Sequence, residues 1–171
     1  MPNIQNPEDD ADLLRRMKLR LEYDPETGLF RAAKGSRQGG NFGGQPGYKN
    51  PKGYHVLSVY GKAYKAHRLA WFYVYGVWPE GQIDHINGNR TDNRICNLRD
   101  VPQGVNMQNQ RKAMRHSKSG LLGVTTTRKG TFVSAIKKND KCTYLGTFPT
   151  PELAHAAYIA AKRKLHPGCT I

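Results

Sequence analysis

Residues 79–110, PEGQIDHINGNRTDNRICNLRDVPQGVNMQNQ, constrain the fold more than any other part of the chain, because the residue pattern changes three times in quick succession. Gln82 to Ile86 reads as a short strand. Asn87 to Arg94 is rich in Asn, Asp and Gly, whose side chains bond their own backbone or tolerate left-handed angles, so a tight loop is expected there. Ile95 to Val101 reads as a returning strand, and Pro102 to about Arg111 as a helix, since proline is tolerated in a helix's first turn. The unit predicted is strand, loop, strand, helix.

Around it the chain divides into two small domains. Upstream, residues 9–22 place Leu13, Leu14, Met17 and Leu21 on one helical face behind an acidic start, which predicts an amphipathic helix. A Pro/Gly turn over 23–28 then leads to a strand at LFRA. Seven of the 18 glycines fall in 35–53 without a G-K-[ST] ending, which disfavours a phosphate-cradling loop and favours a long hairpin or loop. Residues 53–66 alternate about Tyr60-Gly61-Lys62 and predict a β-hairpin; 67–76, HRLAWFYVYG, predict a buried helix ending on glycine, with Trp71, Phe72 and Tyr75 in the core. Downstream, 112–118 form a basic linker. Three strands are expected at 121–127, 132–138 and 142–148, then a helix through about Leu165 with Leu153, Ala156, Ala157 and Ala160 facing the sheet.

Charge narrows the partner. The chain of 171 residues carries 27 Lys+Arg against 13 Asp+Glu, a net +14, which favours a polyanion and above all nucleic acid. Residues 107–171 hold 12 basic and 2 acidic side chains, against 15 and 11 in 1–106, so the C-terminal third is the main electrostatic footprint. Three cysteines without C-x-x-C spacing point to neither a disulfide framework nor a zinc ribbon. No apolar run is long enough to span a bilayer, and the acidic, polar N-terminus is unlike a secretory signal. A cytoplasmic protein, host-cell cytoplasm if phage-encoded, is the expectation.

The words IDHINGNRTDNRICNLR and VNMQN, with H-R-L at 67–69, resemble the HNH (ββα-metal) endonucleases, in the branch of phage and intron-encoded homing enzymes where the last His is replaced by Asn. The resemblance covers 67–110 well and implies a nuclease domain over 1–111, its catalytic core at about 64–110 behind the helix and hairpins of 9–63. It implies His85 as the general base that activates water, and Asn97 as a supporting residue that holds the base in one rotamer and tautomer without touching metal. Asp84 and the side-chain oxygen of Asn106 suit one hard cation, Mg²⁺ or Mn²⁺, which takes oxygen ligands and keeps several waters; zinc is not expected. His67 and Arg68 either face DNA phosphates or make structural bonds. Arg90, Arg94 and Arg99 flank the site as phosphate contacts or as solvated surface charge.

Residues 119–166 resemble an AP2-type DNA-binding domain, a three-stranded antiparallel sheet on one helix, through Gly123-Val124, Phe132, Ile136, Tyr144 to Phe148 and the run from Glu152 to Tyr158. The fold class implied for the chain is α+β, with the nuclease domain, the linker and a reader domain over 119–171. By position, Thr125, Thr127, Lys129, Thr131, Lys137 and Tyr144 are the candidate contacts, while Arg128 and Lys129 suit phosphates; plant members carry Arg at the positions of Thr125 and Thr127, and Trp at Lys129. Arg111, Lys112, Arg115 and Lys118 of the linker region are expected to follow the backbone. Together these imply a site-specific endonuclease acting on double-stranded DNA as a monomer or weak dimer and nicking one strand per chain. A non-catalytic AP2-type regulator with a vestigial nuclease unit is the alternative.

Overall fold

A computed structural model of the chain describes residues 7–34 and 45–171, which fall into two compact units, Met1–Pro102 and Gln103–Ile171. Most of the glycine-rich segment expected as a loop, residues 35–44, lies outside the described residues.

In the first unit helix α1 (Pro7–Lys18) ends earlier than the apolar spacing suggested, and Leu21 instead opens strand β1 (Leu21–Asp24), which pairs antiparallel with β2 (Leu29–Ala32). Leu21 is nevertheless fully buried beside Met17, because the strand turns back into the core that the helix faces. The intervening turn is closed by Asp24, whose carboxylate accepts from the Glu26 amide at 3.0 Å and the Thr27 hydroxyl at 2.7 Å. Gly28 follows with φ 72° and lies so close to the Asn93 and Arg94 backbone that a Cβ has no room.

Strands β3 (Tyr48–Lys49), β4 (His55–Val59) and β5 (Lys62–Lys65) form an antiparallel sheet in that order. Tyr60 and Gly61 both take positive φ, as a two-residue hairpin turn requires. Helix α2 (Ala66–Tyr75) follows β5 directly and stops at Gly76, whose amide donates to the Phe72 carbonyl at 2.9 Å. Its Ala66, Leu69, Ala70 and Phe72 are buried with Phe30, Leu57, Val59 and Ile83. Of the three aromatics expected in the core, Phe72 is buried and stacked on Trp78, Trp71 is half-buried, and Tyr75 is 52% exposed.

Strand β6 (Gln82–His85) pairs antiparallel with β7 (Leu98–Val101), which sets Asp84 opposite Arg99 and His85 opposite Leu98. The second strand is shorter than the expected Ile95 to Val101: Ile95–Asn97 form a 3₁₀ turn, with the Ile95 amide bonded to the Pro25 carbonyl at 3.1 Å. Asn97 therefore sits at the entry to β7, where its side chain reaches the loop.

In the second unit α3 (Gln103–Gln108) ends before the predicted Arg111, and residues 108–111 are held by the C-terminal segment. Gln108 Oε1 accepts from the Gly168 amide at 3.0 Å, Arg111 donates to the Thr170 hydroxyl at 2.6 Å, and buried Lys162 donates to the Gln110 carbonyl. Those bonds group α3 with the second unit. Strands β8 (Val124–Thr126), β9 (Phe132–Lys138) and β10 (Lys141–Phe148) form an antiparallel sheet with β9 central, and α4 (Pro151–Leu165), capped by Thr150, packs on it. The packed face of α4 is not the expected one. Leu153 is 51% exposed and Ala156 and Ala160 are exposed, whereas Ala154 and Lys162 are buried and Tyr158 lies over Gly123. Lysine and tyrosine bury long stems while their polar ends find partners, so they hid the face that small residues only suggested. Among the described residues, no helix is long and apolar enough to cross a membrane.

Candidate active site

Asp84 and His85 are adjacent on β6 and both buried, 6% and 4% exposed. Strand alternation sends them to different partners. Arg99, across the ladder on β7, donates through Nε and Nη2 to Asp84 Oδ2 at 2.9 and 2.8 Å. His85 Nε2–H donates to Asn93 Oδ1 at 3.2 Å, and its ring meets that of His67 edge-on, centroids 5.0 Å apart. Tyr54 adds a third ring, 5.0 Å from His67 and 6.2 Å from His85.

Burial pushes the His85 pKa below its usual value, only partly opposed by the Asn93 bond and the Asp84 and Asp92 charges. The ring is therefore neutral near pH 7. With Nε2 carrying the proton, the lone pair sits on Nδ1, the state a general base requires. His67 is pushed down to about 3, first by burial, then by the charges of His85, Lys65 and Arg68. At 4% exposed it offers no surface to a phosphate, so of its two expected roles the structural one is what its position allows.

The loop behind His85 is self-supporting. Asn97 Nδ2 donates to Asn87 Oδ1 at 3.0 Å and to the Asp92 carbonyl at 2.8 Å, while its Oδ1 accepts from the Asn87 amide at 2.9 Å. Asn87 Nδ2 donates to Asp92 Oδ2 at 2.6 Å, and Asn89 Oδ1 accepts from the Thr91 amide and hydroxyl. Asn97 thus braces the loop, and Asn93 is the residue with its side chain on the His85 ring. Asn93 is itself buried, its carbonyl accepting from Tyr23 Oη at 2.7 Å. In the sequence Asn93 is one asparagine among several in an asparagine-rich loop, which carries no mark of its partner. Tyr54 was missed as well; it stands near the start of the segment expected as a hairpin, 53–66, with no local sign of its partners.

Asn106 lies on α3, in the other compact unit. Among the described residues no three His, Cys, Asp or Glu side chains gather to hold a metal. An ion at Asp84 would rest on that carboxylate with waters and phosphate oxygens. This all-oxygen donor set fits a hard, largely hydrated divalent cation.

The other expected contacts divide into engaged and exposed. Arg68 is half-buried, donating to the Gly81 carbonyl at 3.4 Å with its guanidinium 6.0 Å from the Trp78 ring centroid. Arg94 is tied to Asp92 through Nε at 2.8 Å and Nη2 at 2.7 Å, and Arg99 is held by Asp84. Arg111 bonds the C-terminal segment. Arg90, Lys112, Arg115, Lys118, Thr125, Arg128 and Lys129 are exposed. Thr127 and Thr131 bond each other through their hydroxyls at 2.8 Å and close the β8–β9 turn; Lys137 pairs with Asp140 at 2.8 Å, and the Tyr144 hydroxyl meets that of Thr147 at 2.7 Å.

Residues 64–108 match the family model described as HNH endonuclease. That segment is thus similar to an HNH endonuclease domain. The DNA endonuclease I-HmuI of Bacillus phage SP01 is 36% identical to it over 63 residues, a stretch covering 34% of this chain and 36% of that protein. No solved structure matches the chain. The matched segment takes in the end of β5, α2, the β6–β7 hairpin and α3, and so contains Asp84, His85, Asn97 and Asn106.

Proposed function

We propose that the chain is a homing-type DNA endonuclease that hydrolyses phosphodiester bonds and nicks one strand of duplex DNA per active site. The observation that carries this reading is His85: buried, its pKa pushed below the usual value by burial, and bonded through Nε2 to Asn93, beside the Asp84 carboxylate. In the proposed reaction Nδ1 of His85 takes a proton from a water molecule as the water oxygen attacks phosphorus and the bond to the departing oxygen breaks. Asn93 keeps the ring in the accepting tautomer, and Asn97 keeps the loop that carries Asn93 in place. Asp84 and Asn106 are the residues that would hold one Mg²⁺ or Mn²⁺. When bound, that ion supplies charge neutralisation for the phosphoryl oxygens.

Residues 119–171, within the second unit, are proposed as an AP2-like reader of double-stranded DNA, following a nuclease domain over 1–111 and a linker over 112–118. Support comes from the strand register: Thr125 opposite Val133, Lys137 opposite Cys142 and Ala135 opposite Tyr144 set Thr125, Lys137 and Tyr144 on one face, while Val124, Ser134 and Ile136 are buried on the other. Arg128 and Lys129 project from the adjoining turn as phosphate contacts.

Supercoiled plasmid carrying DNA from the gene's own genomic neighbourhood, incubated with Mg²⁺ or with EDTA, tests the reading. Nicking that requires the metal and is lost in His85→Ala is expected from a chain acting as a monomer or weak dimer. Equal nicking by His85→Ala, or none by the wild type, would overturn it and leave a DNA-binding regulator.

A further inference from the structure

We propose that Lys65 and Arg90, gathered at the ring of Tyr54 beside His85, hold the DNA phosphate on which His85 acts, with Tyr54 as the residue that positions both. The inference rests on the nuclease reading; it adds Lys65 and Tyr54 to that site and assigns Arg90, read above as a phosphate contact or as surface charge, to one particular phosphate.

Lys65 Nζ lies 5.1 Å and Arg90 Cζ 5.0 Å from the centroid of the Tyr54 ring, and that centroid is 6.2 Å from the His85 ring. The three residues come from separate segments: Tyr54 just before β4, Lys65 at the end of β5, and Arg90 in the loop after β6. Each is anchored independently of the others. The Tyr54 amide donates to Asn50 Oδ1 at 3.0 Å, Arg90 Nη1 donates to the Lys52 carbonyl at 2.7 Å, and Lys65 is the residue from which α2 starts. Gly53, with φ 86°, lies between Lys49 and Arg90: a Cβ there would be 3.8 Å from Lys49 Cε and 3.9 Å from Arg90 Cδ.

Both cations lie beside the candidate base without a carboxylate partner among the described residues. Among the described residues Arg94 is paired with Asp92, Arg99 with Asp84, Lys137 with Asp140, and Arg15 and Arg16 with Asp12, but neither Lys65 nor Arg90 pairs with a carboxylate. Like charges held together repel unless an anion is meant to sit between them. The quadrupole of the tyrosine ring offsets part of that repulsion and keeps the charged ends from wandering, so little ordering is left to do when a phosphate arrives. The placement beside the base selects which phosphate: the one within reach of water activated at His85.

The test compares Lys65→Met, Lys65→Arg, Arg90→Met, Tyr54→Phe and Tyr54→Leu in plasmid nicking with Mg²⁺, and in duplex binding measured across salt in EDTA. Both cations are exposed, so their replacement leaves the fold intact. Each Met variant is expected to lower kcat/KM about 10- to 100-fold, the worth of one charge-assisted bond. Each should also reduce the slope of log affinity against log salt by about one. Lys65→Arg restores part of both, and Tyr54→Leu loses more activity than Tyr54→Phe, whose ring still draws the cations. Unchanged kcat/KM and salt slope in both Met variants would overturn the proposal. If the wild type fails to nick, the nuclease reading fails instead, while the salt slope, which needs no turnover, still decides whether these residues hold phosphate.

Discussion

Lowering the pH from about 7.5 to about 5 is expected to remove about 2 kcal/mol of stability from the first unit through His67 alone. His67 is 4% exposed and its pKa is held down to about 3, first by burial and then by the neighbouring charges of His85, Lys65 and Arg68. Unfolded, it titrates near its model value of 6.5. A depressed folded value means that the neutral ring's contribution is fully present above pH 6.5 and is lost as the pH falls toward about 3, because the unfolded chain takes up the proton first. At pH of about 5 the folded ring is still neutral and the unfolded one mostly charged, so the loss is set by the unfolded value and is nearly insensitive to the exact folded one. Trp71 and Trp78 are the two tryptophans of the chain and both lie in the first unit, so their fluorescence during urea unfolding reports that unit. His67→Phe keeps a ring against His85 and removes the proton site. His55 and His85, also depressed by burial, remain in both proteins and cancel in the comparison. The wild type should lose about 2 kcal/mol more than the variant between the two pH values. Equal losses, within about 0.5 kcal/mol, would refute the assignment of a buried, neutral His67.

Asn93→Ala removes the acceptor from His85 Nε2 and should lower kcat about 10- to 100-fold with DNA affinity unchanged, whereas Asn93→Asp retains an acceptor and more of the rate; single-turnover nicking beside a binding assay separates the two. Arg99→Met strips the buried Asp84 carboxylate of its guanidinium and should cost about 3 kcal/mol, with Asp84→Asn in the same chain recovering much of it; a double-mutant cycle showing no coupling would exclude the pair as a stabilising unit. Gly123→Ala forces a Cβ into the Tyr158 ring at φ 75° and should destabilise the second unit by about 2 kcal/mol or more in thermal unfolding, leaving the tryptophan signal of the first unit unaltered.

The strands β6 and β9, the β4–β5 hairpin and helices α2 and α4 were legible in the sequence because each carries a local period or a local turn signal. Where the reading slipped, a tertiary requirement outweighed the local one. Leu21 has helical spacing from Met17, yet a strand buries it as well, since burial rewards position in the core and not the route taken to it. Asn97 reads as strand because Ile95 is apolar, but the loop needs its side chain, so residues 95–97 wind into a 3₁₀ turn instead. Arg94 and Arg99, read as phosphate contacts or as solvated surface charge, pair across one loop and one ladder with Asp92 and Asp84, a partnership that sequence distance does not show.

The same distinction separates the visible half of the candidate site from the hidden half. Asp84, His85 and Asn97 belong to one hairpin, so their association follows from strand and loop geometry that a short window contains. Tyr54, Lys65 and His67 come from the residue before β4, the end of β5 and the start of α2, and only folding sets them around His85. Their local signals mislead: His67 and Lys65 look like polar residues opening a helix, and Tyr54 like one more aromatic at a strand end. Their arrangement has a consequence for the base itself. A ring enclosed by His67, Tyr54 and Asn93 is kept neutral by burial, yet the cations nearby leave the same place attractive to an anion. A buried base and an unpaired pair of cations at one point are what hydrolysis of a negatively charged ester requires, since the water must meet a neutral acceptor while the phosphate meets positive charge.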